Sequence, residues 1–180
     1  MAKDVEKNLI KELKKGKEEA YVSLLKNYGN RLIKTCYLML KDEKDAEDIV
    51  QETFIKVFSH INSFKGASSL YTWIYRIAIN LCKDRLKTKR EYLPYEEWIE
   101  TEDSVEEIVL LSIDIDNLRK ALWSLSPIYN EVLILFYFEE LSIKEIGEIL
   151  DEKEGTVKSK LSRGRMALKK ALEEGGIYDE

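Results

Sequence analysis

Apolar residues recur along residues 5–40 at helical spacing: Leu9, Ile10 and Leu13, then Tyr21, Leu24, Leu25 and Tyr28, then Leu32, Ile33, Cys36, Tyr37 and Leu40. Gly16 and Gly29 fall between these stripes and read as breaks. From Asp42 to Phe58 the stripe is Ala46, Ile49, Val50, Phe54, Val57 and Phe58, a core face. A polar, small-residue stretch, Ile61 to Leu70, interrupts the period and predicts a loop, with Ser68 or Ser69 capping the helix after it. That helix carries Ile74, Ile77, Ala78 and Leu81 inward. Past Pro94 the period is lost until Ser104 and Glu107, spaced as a capping box before Ile108, Leu110 and Leu111. Ser126-Pro127 then opens a nearly all-apolar helix through Val132, Leu133, Leu135 and Phe136. Ser142 and Glu145 form a second capping box, starting a short helix, Ile143 to Leu150. A turn, Asp151 to Gly155, leads into a last helix from Thr156, with Gly147 small enough for the two to approach closely.

Composition bounds this pattern rather than changing it. The 180 residues are 44% hydrophobic and 35% charged, with only 8 Gly and 2 Pro, which leaves room for one medium domain or two small ones and argues against a turn-rich β fold. The longest apolar run, Val132 to Phe138, is far short of the roughly 20 residues of a membrane span. The first residues, Met1 to Lys7, hold no apolar signal core. Cys36 and Cys82, each within an apolar stripe, read as buried free thiols of a reducing compartment. The expectation is a soluble, cytoplasmic, all-α protein without membrane contact of its own.

Charge does change the picture. The net charge is −5, yet Glu91 to Asp116 holds ten acidic residues and no Lys or Arg, so the remainder sums to +5. Arg76 to Arg90 carries six Lys/Arg against one Asp, and Gly155 to Lys170 carries six with no acid. Solvated Lys and Glu faces would account for part of this. The segregation instead suggests two modules that meet polyanions, joined by an acidic connector. The expected division is 1–90, a linker at 91–115, and 116–180.

Three places carry candidate chemistry. Asp48, Gln51, Glu52 and Ile55 share a second face of the 42–58 helix. It is either a solvated face or a docking surface for a basic partner helix, and the apolar Ile55 is what a solvated face does not need. The loop Ser63, Phe64, Lys65, Ser68, Ser69 runs into Tyr71, Trp73, Tyr75, Arg76, Asn80 and Lys83. Aromatics interleaved with cations beside a small-residue loop suit single-stranded DNA, each stacked base being worth roughly 1–3 kcal/mol. The same rings could pack on a neighbouring helix, Trp73 above all, so stacking is assigned to the set and not to any one ring. In the last helix Thr156, Lys158 and Ser159 stand where a helix-turn-helix reaches base edges, and Lys160, Arg163 and Arg165 where it meets phosphates.

These blocks together resemble bacterial sigma-70 family sigma factors, in particular the extracytoplasmic-function (ECF) group. Asp45-Ala46-Glu47-Asp48-Ile49-Val50-Gln51-Glu52-Thr53-Phe54 is similar to the helix that docks on the polymerase clamp. Phe64-Lys65-Gly66 with Tyr71 to Asn80 resembles the −10 loop and helix, and Leu141 through Arg165 resembles the −35 helix-turn-helix. The resemblance implies a transcription initiation factor that binds core RNA polymerase, brings it to promoter DNA and helps open it. It implies that Asp48, Gln51 and Glu52 face the clamp, that loop 63–69 captures a base flipped from the non-template strand, and that an anti-sigma factor is a further partner. It also implies that the acidic connector threads the RNA channel of the polymerase. Ala67 and Ser68 replace the more polar residues frequent in this loop, and Gly147 and Gly164 stand where Ala is frequent, a loss of about 1 kcal/mol per Gly in helix propensity.

Other classes fit less of the chain. A stand-alone helix-turn-helix regulator leaves the Asp48 face and the aromatic loop idle and lacks a dimer seam. An enzyme lacks a nucleophile–base pair: there is one histidine, His60, expected at a helix end, and no phosphate loop or metal-ligand spacing. No cofactor or metal is expected. With the connector at −10, the free protein is expected to bind DNA weakly. Neutralising Glu96, Glu97, Glu100, Glu102 and Asp103 should raise that affinity, and no gain would remove the connector as a restraint.

Overall fold

The computed structural model describes residues 2–89 and 115–174. They fall into two compact units, residues 2–85 with 148–150, and residues 86–89 with 115–147 and 151–174. The acidic connector and its Ser104–Glu107 box lie outside the described residues, apart from Ile115, which begins a helix.

In the first unit α1 spans Ala2–Lys14, α2 Glu18–Leu40, α3 Glu43–His60 and α4 Leu70–Thr88. Gly16, at φ +72°, breaks α1 from α2 as expected. Gly29 breaks nothing, and α2 runs through it unbroken. One glycine costs a helix about 1 kcal/mol, and burial of Leu24, Leu32, Cys36, Met39 and Leu40 on one face outweighs it. Lys41 ends α2 in the left-handed region, φ 62°, its N–H donating to the Tyr37 carbonyl at 2.9 Å. Asp42 then starts α3 by accepting from the Asp45 N–H at 2.8 Å. Two residues of the apolar stripes lie exposed, Leu25 at 49% and Phe58, expected on the core face, at 59%. Each follows a buried neighbour, Leu24 and Val57, and the helical step of about 100° turns it off the core face. Phe58 rests instead on the Tyr21 ring, centroids 4.6 Å apart.

Asp45 of α3 is tied to Arg85 of α4 by an ion pair. Cys36 and Cys82 are fully buried, and the hydrogen bond between them, together with burial, raises the Cys82 thiol well above its ordinary pKa. Cys82 therefore stays protonated, an inert packing group at neutral pH.

The second unit is built on α5 (Ile115–Ser124), α6 (Pro127–Leu133), α7 (Ile143–Leu150) as far as Gly147, and α8 (Glu154–Glu174). Its core joins Ala121, Leu122, Leu133, Leu161, Leu168 and Leu172. Ser126-Pro127 opens α6 with Pro in the first turn, and α6 passes into a π-helical turn, Ile134–Phe138. The Ser142–Glu145 capping box forms with both reciprocal bonds. The turn after α7 is shorter than expected, because α8 begins at Glu154 and takes in Gly155. Gly147 is required by that turn more than by the helix pair. A Cβ there would lie 2.7 Å from the Glu152 backbone carbonyl oxygen, against 3.9 Å from the Val157 side chain.

Candidate polymerase and nucleic-acid interfaces

Asp48, Gln51, Glu52 and Ile55 all lie exposed on α3, opposite the buried Ala46, Ile49, Val50 and Val57. Ile55 is 65% exposed, and Glu52 pairs with Lys56 one turn on at 3.4 Å. Thr53, buried beneath this face, is satisfied by donating to the Ile49 carbonyl at 2.7 Å. The face is therefore acidic at one end and apolar at the other, on a helix that burial holds rigid.

His60 closes α3, its Nδ1 donating to the Lys56 carbonyl at 2.9 Å. A single 3-10 turn, Ile61–Ser63, follows, with the Ser63 hydroxyl donating to the His60 carbonyl at 2.7 Å. The loop then hangs between two buried anchors, Phe64 and Leu70. Lys65, Gly66 and Ala67 are exposed between them, Ser68 and Ser69 half-buried, and Gly66 takes φ +74° to reverse the chain. Of the two candidate caps it is Ser69 that serves, its oxygen accepting from the Thr72 N–H at 3.0 Å.

The aromatic set divides. Tyr75 is fully buried, which withdraws it from direct stacking on a base. It lies stacked on Tyr71, centroids 4.2 Å apart, on the same face of α4. Phe64 is likewise buried, its ring 5.0 Å from that of Trp73. Tyr71 and Trp73 keep part of their surface exposed, and Tyr71 lies under the Arg31 guanidinium of α2 at 5.6 Å. Phe64 and Tyr75 thus support rings they were expected to accompany, because a helix that buries Ile74 and Ala78 brings Tyr75 inward with them. Arg76 and Lys83 are half-buried and Asn80 is exposed.

In α8, Thr156, Lys158 and Ser159 are exposed at the amino-terminal end while Val157 and Leu161 are buried. Arg163 is half-buried. Lys160 and Arg165 were expected to meet DNA phosphates, and the structure gives both to the unit itself. Lys160 reaches Glu152 at 2.5 Å and Glu131 at 3.5 Å. Glu131 is 2% exposed, and a buried carboxylate requires such a cation. Burial pulls the Lys160 pKa down, but the two carboxylates outweigh it, and the net shift is upward. Arg165 donates from Nε to the Tyr137 hydroxyl at 2.8 Å, its guanidinium over the Phe136 and Tyr137 rings. The π-helical turn, invisible in an unbroken apolar run, is the segment that carries these rings.

Two contacts around the loop had no signal in the sequence. Lys14 of α1 donates to the Phe64 carbonyl at 2.8 Å, and Glu6 accepts from the Leu70 N–H at 2.8 Å. Partners 50 and 64 residues apart leave no local pattern to read.

Among the described residues no group of three His, Cys, Asp or Glu is placed to hold a metal ion, and no helix is long and apolar enough to cross a membrane.

Comparison with known proteins accounts for both units. The family model described as Sigma-70 region 2 matches residues 24–92, and Sigma-70, region 4 matches residues 115–168. The ECF RNA polymerase sigma factor SigW of Bacillus subtilis is 36% identical over 179 residues, covering 92% of this chain and 96% of the relative. The RNA polymerase sigma-H factor of Pseudomonas aeruginosa is 27% identical, covering 96% of each chain. The sigma factor RpoE of Bartonella quintana, solved in complex with the anti-sigma factor NepR, superposes with a TM-score of 0.67 at 25% identity, covering 85% of this chain and 96% of that one. CnrH, solved with the cytosolic domain of CnrY, shares the fold at a TM-score of 0.70 and 20% identity, covering 94% and 97%. An exposed acidic-apolar helix face, a propped loop before an aromatic helix and a capped helix pair with a basic second helix thus sit within regions 2 and 4 of one lineage, and the chain belongs to the ECF RNA polymerase sigma factors of the sigma-70 family.

Proposed function

We propose that this transcription initiation factor divides its work among three surfaces, each meeting a different partner. Asp48, Gln51, Glu52 and Ile55 dock on core RNA polymerase, the carboxylates meeting basic side chains and Ile55 supplying a dry contact at the edge. Loop 63–69 takes a base flipped from the promoter at −10, Lys65 meeting its phosphate, while Tyr71, Trp73, Arg76, Asn80 and Lys83 hold the edge of the melted strand. Thr156, Lys158 and Ser159 read the −35 duplex in the major groove, with Arg163 on its backbone. Phe64, Tyr75, Lys160 and Arg165 support these surfaces from behind. An anti-sigma factor is a further partner, as one is for the RpoE structure.

The observation that carries this reading is the loop. Three exposed residues, Lys65 to Ala67, project between two buried anchors directly before an aromatic-rich helix. A loop with only a connecting role needs neither the anchors nor the positive φ at Gly66.

The experiment is promoter opening by the holoenzyme, followed with 2-aminopurine in the −10 non-template strand. Lys65→Ala combined with Ala67→Leu should slow opening about tenfold or more while core-polymerase affinity stays within twofold. Unchanged opening in that variant would remove the loop from DNA contact.

A further inference from the structure

The first helix reaches both ends of the loop just described. The region 2 match begins at residue 24, so α1 lies outside it. The helix is nevertheless firmly seated: Leu13 is 1% exposed, and the Tyr21 hydroxyl of α2 donates to the Leu13 carbonyl at 3.0 Å. From that seat Lys14 meets the carbonyl of Phe64, the loop's first anchor, and Glu6 meets the N–H of Leu70, its last. Both are charge-assisted hydrogen bonds, stronger than neutral ones. Glu6 also satisfies an amide that the first turn of α4 leaves without an intrahelical partner, and its charge suits the positive end of that helix. The carboxylate lies close enough to Tyr28 that, after burial, it contributes to raising that phenol's pKa, and the Tyr28 ring is 5.9 Å from Tyr71.

We infer that α1 is a latch for the −10 loop, with Glu6 and Lys14 as positioning residues that fix the loop's two ends before DNA arrives. Capturing a flipped base requires the loop to be ordered, and a loop held at both ends has less freedom left to lose. Neither side chain need touch DNA. The inference rests on the loop's proposed role.

The test uses the full chain bound to core RNA polymerase and four variants: Glu6→Ala with Lys14→Met, Lys14→Met alone, Lys14→Arg, and the loop variant Lys65→Ala with Ala67→Leu. Opening rate, core affinity, thermal unfolding and the preference for a cognate over a substituted −10 base are measured in each. The latch predicts that the Glu6/Lys14 double variant opens promoters about tenfold more slowly and loses most of its base preference. Core affinity should hold within twofold, and Lys14→Arg, which can still donate to the Phe64 carbonyl, should recover most of what Lys14→Met loses. Normal opening and base preference in the double variant, with the loop variant impaired, overturns the latch and leaves the loop's role standing. An equal loss of core affinity and opening, not recovered by Lys14→Arg, also overturns it, since that is what a general loss of folding produces. A silent loop variant removes the loop's role, and the latch with it.

Discussion

At the scale of single residues, glycines show how the same substitution changes sign with its surroundings. Gly29 sits within α2 with nothing within 4 Å of where a Cβ would point, so Gly29→Ala should stabilise the first unit by about 0.5–1 kcal/mol. Gly147→Ala gains the same helix propensity but drives a methyl to 2.7 Å from the Glu152 carbonyl oxygen, and backbone does not yield cheaply. It should destabilise the second unit by about 1–3 kcal/mol. Thermal unfolding of both variants decides this; two shifts of the same sign would contradict the packing described. Lys160 gives a second test. Lys160→Met takes a cation from the buried Glu131 and from Glu152 and should cost about 3 kcal/mol. Because the folded Lys160 pKa is raised, its contribution is fully present below the unfolded value near 10.5 and is lost only as pH climbs through the higher folded value. Denaturant titrations at pH 7 and pH 9 should therefore give the same difference between wild type and Lys160→Met. A difference that already fades between those pH values would mean the ion pair is not what holds Glu131.

At the scale of elements, much of the structure was legible. Helical periods, the Ser142–Glu145 box, the Asp42–Phe58 helix and the Gly16 break follow from rules that act within one or two turns. What those rules missed depends on partners distant in sequence. Gly29 was read as a break because propensity is local, whereas the packing that overrides it is not. Lys160 and Arg165 read as DNA contacts from their place on a basic helix, but Lys160 is claimed by Glu152 across the turn, 8 residues away, and by Glu131, 29 residues away, and Arg165 by Tyr137, 28 residues away. Phe64 and Tyr75 are assigned inward by the rotation of α4 and the loop's anchor, which an aromatic-rich segment alone does not specify. The α8 assignment that remains is specific enough to test. Lys158→Ala and Arg163→Ala should each weaken −35 duplex binding by holoenzyme and flatten its salt dependence by about one unit in log–log slope. The matched Lys160→Ala substitution, an internal ion-pair partner, should leave the slope unchanged. Equal slopes for wild type, Lys158→Ala and Lys160→Ala would contradict the division between the exposed Lys158 and the ion-paired Lys160.

For the whole molecule, charge and architecture describe a protein built to act with a partner. A chain of net charge −5 with ten acids and no Lys or Arg from Glu91 to Asp116 is expected to bind DNA weakly alone. In the proposed division of work, the exposed face of α3 joins the larger machine, and the two surfaces assigned to DNA gain affinity from being delivered together, each binding raising the effective concentration of the other. That account depends first on attachment to the polymerase. The most direct measurement is therefore co-purification of this chain with bacterial core RNA polymerase, wild type beside Asp48→Arg. The account predicts stable association of the wild type and loss of at least tenfold in affinity for Asp48→Arg, with unfolding temperature unchanged because Asp48 is exposed. Equal association of the two proteins would contradict docking through α3, and no association of the wild type would contradict the account as a whole.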